Sequence, residues 1–178
     1  MVMFQEHALF PWLNVFDNVM FGLKLKPNLT DPERREVAKF YLYLVGLEKF
    51  AKASIHELSG GMRQRVALIR TLALNPKLLL LDEPFSALDF QTRLNVCDNV
   101  AEIISNEKKT AILVTHDISE AVSMADRVII LSARPGSIKK EVIINLQEYK
   151  TPLERRESKK AHDYFDEIWN ELVIREKT

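Results

Sequence analysis

The stretch LSGGMRQRVALIRTLALNPKLLLLDEPFSALD, residues 58–89, changes its apolar period halfway along, and that change decides the fold. Its first part opens on Ser59-Gly60-Gly61 and reads as a helix from about residue 62 to 74, closed by Asn75-Pro76, because proline cannot continue a helix. Leu78, Leu79, Leu80 and Leu81 then run without interruption into Asp82-Glu83-Pro84. A short unbroken apolar run of this kind predicts a strand buried on both faces. Downstream, a helical stretch over about 90–108 precedes TAILVT (110–115), a second expected buried strand. A helix over 117–125, a third strand RVIIL (127–131) and an edge strand over 138–146 come next. Strands alternating with helices at this spacing predict an α/β layered sheet.

Upstream the chain reads as mostly helical. Phe10-Pro11-Trp12 is a turn, followed by mixed apolar and polar positions through Leu25. Thr30 or Asp31 caps a helix with Pro32 near its first position, and Val37, Phe40, Tyr41, Leu44 and Val45 recur at helical spacing. At the other end, residues 152–178 form a charged helical segment with Phe165, Ile168, Trp169 and Leu172 on one face. The expected organisation is a helical lobe over 1–75, an α/β core over 76–146 and a helical extension over 147–178. Only about three central strands can be counted, so the sheet reads as incomplete.

Composition narrows the function classes. With 178 residues the chain suits one domain. Twenty-five Lys and Arg balance twenty-five Asp and Glu, whereas a general nucleic-acid binder shows a basic excess. No nucleic-acid partner is expected. The single cysteine, Cys97, excludes an internal disulfide and a multi-cysteine metal site. No apolar stretch approaches the roughly 18 residues that span a bilayer, and MVMFQEHALF lacks the pattern of a secretory signal. The reading is of a soluble chain able to dock on a membrane protein.

Three places carry candidate chemistry. Ser59-Gly60-Gly61 at a helix start offers free N–H groups, the helix dipole and a hydroxyl to an anion such as phosphate. Taken alone, the same residues are explained by helix capping. Asp82-Glu83 places two carboxylates at the carboxyl end of a strand, where ligands of α/β sheets bind, with Asp82 able to hold Mg²⁺ and Glu83 able to orient and deprotonate water. Acidic turn residues account for them equally. His116 ends the next strand and could touch a phosphate oxygen or a water, or be structural.

Together these pieces resemble the ATP-binding-cassette ATPases. Residues 58–89 resemble that family's signature, Walker B strand and D-loop, in order and spacing. VTHD (114–117) resembles the switch-histidine segment. Residues 3–19, opening on Met3-Phe4-Gln5, resemble the Q-loop region with its first residue replaced. The resemblance covers residues 1 to about 146 and implies a P-loop NTPase fold that binds ATP and Mg²⁺. It implies that Gln5 senses Mg²⁺ and the attacking water, and that Ser59, Gly60, Gly61 and Gln64 belong to the nucleotide site, the first three binding the γ-phosphate held by the opposite subunit of a homodimer. The resemblance further implies that Asp82 holds Mg²⁺ with Gln5, that Glu83 polarises the hydrolytic water, that Asp89 communicates across the dimer and that His116 contacts the γ-phosphate.

The departure from the family is a Walker A loop, which needs Gly-x-x-x-x-Gly-Lys-Ser/Thr. The residues after the five glycines are Leu23, Leu47, Gly61, Met62 and Ser137, so no Gly-Lys occurs. The expected fold is therefore a partial one, N-terminally truncated, in a chain inactive by itself. Phe10-Pro11-Trp12, Asp126-Arg127-Val128 and the segment from Ser132 to Ile138 resemble importers of the nitrate, sulfonate and taurine group. The implied partners are a membrane permease subunit and, indirectly, an extracytoplasmic substrate-binding protein. The implied place is peripheral, on the cytoplasmic face of the cell membrane. The competing reading is a non-catalytic fragment that docks on a permease or a full-length partner. ATPases of DNA repair share the signature but carry long coiled coils, and no sustained heptads occur here. Leu9, Phe10, Trp12, Leu13, Val15 and Phe16 mark the expected permease-docking face, with Phe10 or Trp12 at the surface; packing of the helical lobe is the alternative use of these residues.

Overall fold

The computed structural model describes residues 2–3 and 9–173. Gln5 lies outside the described residues, as do 174–178. Strand β1 (Val2–Met3) leads toward helix α1 (Val15–Leu23), a helix that the mixed pattern of 10–25 did not announce. Asn14 caps α1 by accepting the Asp17 N–H at 2.7 Å. Helix α2 (Asp31–Leu44) begins with a capping box in which the Thr30 N–H donates to the Glu33 carboxylate at 2.7 Å. Helix α3 (Gly60–Leu72) starts at Ser59 and gives way to β2 (Leu78–Asp82). Helix α4 (Phe90–Asn106), β3 (Thr110–Val114), α5 (Ile118–Met124), the ribbon of β4 (Arg127–Leu131) and β5 (Ile138–Ile143), and helices α6 (Pro152–Glu157) and α7 (Lys159–Val173) complete the order.

Among the described residues the strands form two sheets. The first runs β1-β2-β3, all parallel, with Leu78 opposite Thr110 and Asp82 opposite Val114. The second is β4 antiparallel to β5. The strand at 127–131, expected as a third central strand, therefore pairs in the ribbon and does not extend the parallel sheet. The reason lies in its alternation: Val128 and Ile130 turn inward with Val142, Ile144 and Leu146 onto Ile118, Val122 and Ile168 of α5 and α7. The larger core joins α1, α2 and α3 to β2 and α4 and runs from Val15 to Ile103, across residues 75 and 76.

The two-faced burial expected of the strands holds only in part. Leu79 and Leu81 are sealed in the larger core, but Ile112 is 53% and Val114 55% exposed on β3. Ile129 and Leu131 of β4 are likewise more than half exposed. These strands bury one face and present an apolar one. A sheet edge with unpaired backbone groups beside an apolar face favours association. The chain is expected to self-associate with rising concentration in sedimentation or light scattering, and Ile112→Thr with Val114→Thr should shift it toward monomer. A monodisperse wild-type monomer at high concentration, with a cooperative melt, contradicts this.

Candidate functional site

The strand ends put Glu83 and His116 side by side. Glu83 comes directly after β2, and its N–H still donates to the Val114 carbonyl at 2.9 Å, so the parallel pairing carries one residue past the strand. Its φ is +47°, a left-handed conformation that is costly for a residue with a Cβ and that the surroundings must enforce. One Glu83 carboxylate oxygen, Oε1, accepts the His116 N–H at 3.0 Å and lies 2.8 Å from His116 Nδ1. The imidazole is 81% exposed while the Glu83 side chain is 15% exposed. A held carboxylate thus sits beneath a ring that faces outward.

The enforcement comes from Gln64 on α3. This side chain is buried. Its Nε2 donates to the Glu83 carbonyl at 2.7 Å and to Ser86 Oγ at 3.3 Å, and its Oε1 accepts the Ala87 N–H at 2.9 Å. The Ser86 hydroxyl donates to the same Glu83 carbonyl at 3.0 Å. Expected at the nucleotide, Gln64 has its amide committed to the chain, and its place is that of a clamp between α3 and the loop after β2. Phe85, fully buried, pins that loop from below. Asp89 closes it as the cap of α4, accepting the Thr92 N–H at 3.0 Å, a bond that holds its carboxyl below the usual range.

The two signature glycines do different work. A Cβ on Gly61 would stand 2.7 Å from the Ala87 carbonyl oxygen, while one on Gly60 would meet nothing within 4 Å. Gly61 is therefore required by the close approach of residues 86–89 to α3, a cause internal to the chain. The bare backbone of Gly60 faces open space. Ser59 caps α3, its hydroxyl accepting the Met62 N–H at 3.2 Å.

Asp82 ends β2, one residue before Glu83. Among the described residues no three His, Cys, Asp or Glu stand together as a metal cage. A single carboxylate at a strand end fits an ion held mainly by phosphates and waters, which is the habit of Mg²⁺.

Pattern reading missed Asn18. Buried on α1, it accepts the Phe10 N–H at 2.9 Å and donates to the carbonyls of Phe10, Leu13 and Asn14 at 3.1, 3.2 and 3.0 Å. It thereby builds the 10–14 turn. An asparagine inside VFDNVMF, between apolar positions, was the available signal. On that turn Phe10 packs on Phe21 at 4.4 Å and Trp12 at 5.3 Å between ring centroids, with Arg70 over the Phe10 ring. Trp12 is 75% exposed.

A profile of the family described as "ABC transporter" matches residues 1–86. The chain is 51% identical, over 82% of its length, to an uncharacterized ABC transporter ATP-binding protein, MJ0412, of Methanocaldococcus jannaschii, and covers 54% of that protein. It is 44% identical, over 98% of its length, to the nitrate import ATP-binding protein NrtD of Synechocystis, covering 67% of it. Among solved structures, the ATP-binding cassette MJ0796 in a dimeric post-hydrolysis state bound to ADP and Pi superposes with a TM-score of 0.72 at 34% identity, over 81% of this chain and 62% of that one. The chain thus spans about half to two thirds of the length of these relatives.

The site's geometry leads to two expectations. Gly61→Ala should lower stability by about 1–3 kcal/mol, since backbone must move, whereas Gly60→Ala should be neutral or stabilising by up to about 1 kcal/mol; denaturant melts separate the two. The bond to Glu83 raises His116 above its ordinary value. Its contribution to stability is therefore complete below the unfolded imidazole value, about 6.5, and is lost as pH rises through the raised folded value. NMR titration should find His116 above about 6.5 and returned toward it in Glu83→Gln.

Proposed function

The chain belongs to the ABC transporter family, and on that premise we propose that it acts as the ATP-hydrolysing, energy-coupling subunit of an importer for nitrate, sulfonate, taurine or a similar small solute. Its fold is that of the ABC ATPase cassette, a P-loop NTPase fold with a parallel sheet and flanking helices. The observation that carries the reading is the Glu83–His116 pair at the ends of neighbouring parallel strands, the edge where α/β folds bind and transform ligands.

In this reading Glu83 accepts a hydrogen bond from the attacking water while His116 donates to the γ-phosphate, which suits a reaction catalysed by positioning and charge stabilisation. Bound ATP with Mg²⁺ supplies the phosphoryl group and the neutralising charge. Asp82 and Gln5 are the residues that would hold the ion. In this reading Ser59 and the backbone of Gly60 and Gly61 meet the γ-phosphate of a second subunit in a homodimer, with open space at Gly60, and Asp89 lies along that interface. Segment 1–75 carries the signature and docking face, 76–146 the reacting groups and 147–178 the brace behind them. The exposed Trp12, on the turn that Asn18 holds rigid, supports docking on a membrane permease served by an extracytoplasmic binding protein. In this reading the subunit works at the inner face of the membrane; no described helix is long and apolar enough to cross it.

A second reading is docking on a permease or a full-length partner without turnover. One experiment separates them. The full chain and its Glu83→Gln variant are assayed for Mg²⁺-dependent ATP hydrolysis with the cognate permease, alongside Trp12→Ala and Phe10→Ala in pull-down. Turnover that falls at least 100-fold in Glu83→Gln, roughly the loss of one catalytic base, supports the ATPase. Turnover equal in both, with permease binding intact, supports the docking role. Unchanged pull-down in both aromatic variants rejects the docking face.

A further inference from the structure

Arg93, one turn into α4, reaches in two directions. Its NH2 donates to the Leu88 carbonyl at 3.1 Å, inside the loop that carries Asp89. Its NH1 donates to Asp117 Oδ2 at 3.2 Å and stands 3.8 Å from Glu120 Oε1. Asp117 is the next residue after His116. Its other oxygen, Oδ1, caps α5 by accepting the N–H groups of Ser119 and Glu120 at 2.8 and 3.1 Å. Glu120 is sealed, and it accepts the Thr115 hydroxyl at 2.8 Å. That hydroxyl in turn accepts the Asp117 N–H at 3.0 Å. The residues on either side of His116 are thus bonded into a network to which Arg93 supplies the cation from another element.

We propose that Arg93 is a positioning residue: by bonding the Leu88 carbonyl and the Asp117 carboxylate at once, it fixes the segment 115–117 against the loop 86–89 and so sets His116 on Glu83. The role in hydrolysis rests on the ATPase reading above; the geometric claim does not. His116 is largely exposed, and among the described residues its ring is held on the Glu83 side. The backbone beneath it is tied to the same carboxylate through the His116 N–H, and Arg93 adds a second tie, from Asp117 to the Leu88 carbonyl. A guanidinium suits the task because its planar fork serves two acceptors in fixed directions, which an ammonium does not. From behind, Arg155 and Arg156 of α6 donate to the Ser123 carbonyl and hydroxyl at 3.3 and 3.0 Å, holding α5 in place.

The test uses the full chain and the imidazole nitrogen shifts of His116, assigned with His116→Gln and calibrated with Glu83→Gln, which removes the carboxylate. In Arg93→Ala the His116 shifts should move at least halfway to those of Glu83→Gln, and Arg93→Lys should restore them in part. Asp117→Asn keeps the helix cap, since Asn caps about as well as Asp, and should reproduce the displacement if Arg93→Ala folds poorly. Wild-type shifts in Asp117→Asn, or in a folded Arg93→Ala, overturn the proposal. Where wild type hydrolyses ATP, Arg93→Ala should lower kcat at least tenfold with KM within about twofold. An absent wild-type turnover counts against the ATPase reading alone, and the His116 shifts still decide for or against Arg93.

Discussion

The side-chain amide of Gln64 is buried between α3 and the end of β2, and it spends donor and acceptor on opposite ends of one loop: the Glu83 carbonyl at 2.7 Å and the Ala87 N–H at 2.9 Å. A polar group so placed must be satisfied or it costs about 1–3 kcal/mol, so the loop has little freedom once α3 is packed. Glu83 can then hold its left-handed backbone. Its carboxylate points toward β3 because the clamp leaves the residue few other conformations.

This constraint orders the rest of the site. The loop presses so close to α3 that position 61 admits no side chain without a shift, which makes Gly61 a packing residue. Asp89 ends the loop as a helix cap, and α4 carries Arg93 from there to the segment after β3. Signature helix, Walker B end, D-loop and switch histidine are four sequence motifs that share hydrogen bonds. A displacement of one is therefore felt by the others, a mechanical basis for communication that rests on short-range bonds.

The turn at residues 10–14 obeys the same logic on a smaller scale. Asn18 bonds three carbonyls and one N–H of residues 10–14. Trp12 stands exposed on this turn while one side of its ring rests on Phe10, which in turn packs on Phe21. Rigid exposed aromatics lose little entropy when covered, which is why they make good anchors.

The amino-acid sequence by itself determined the family, the order of motifs and most elements from α2 to α7, because apolar period, caps and breakers are local and residues 58–89 carry a specific pattern. It also named Glu83 and His116, since each ends an apolar run. Contacts between segments distant along the chain were not legible in it. The pattern RVIIL reads as a central strand, yet only the inward packing of Val128 and Ile130 against α5 and α7 decides that it forms a separate ribbon. The bonds of Gln64 to the Glu83 carbonyl and the Ala87 N–H appear only when the β2 loop arrives beside it. Asn18 falls in a stretch with no clear period and Arg93 reads as an ordinary helix position, until the turn at Phe10 and the carboxylate of Asp117 come within hydrogen-bond reach. The physical reason is common to all of these: periodicity reports which face of an element is buried, whereas the partner of a buried polar group is set by which other element folds against that face.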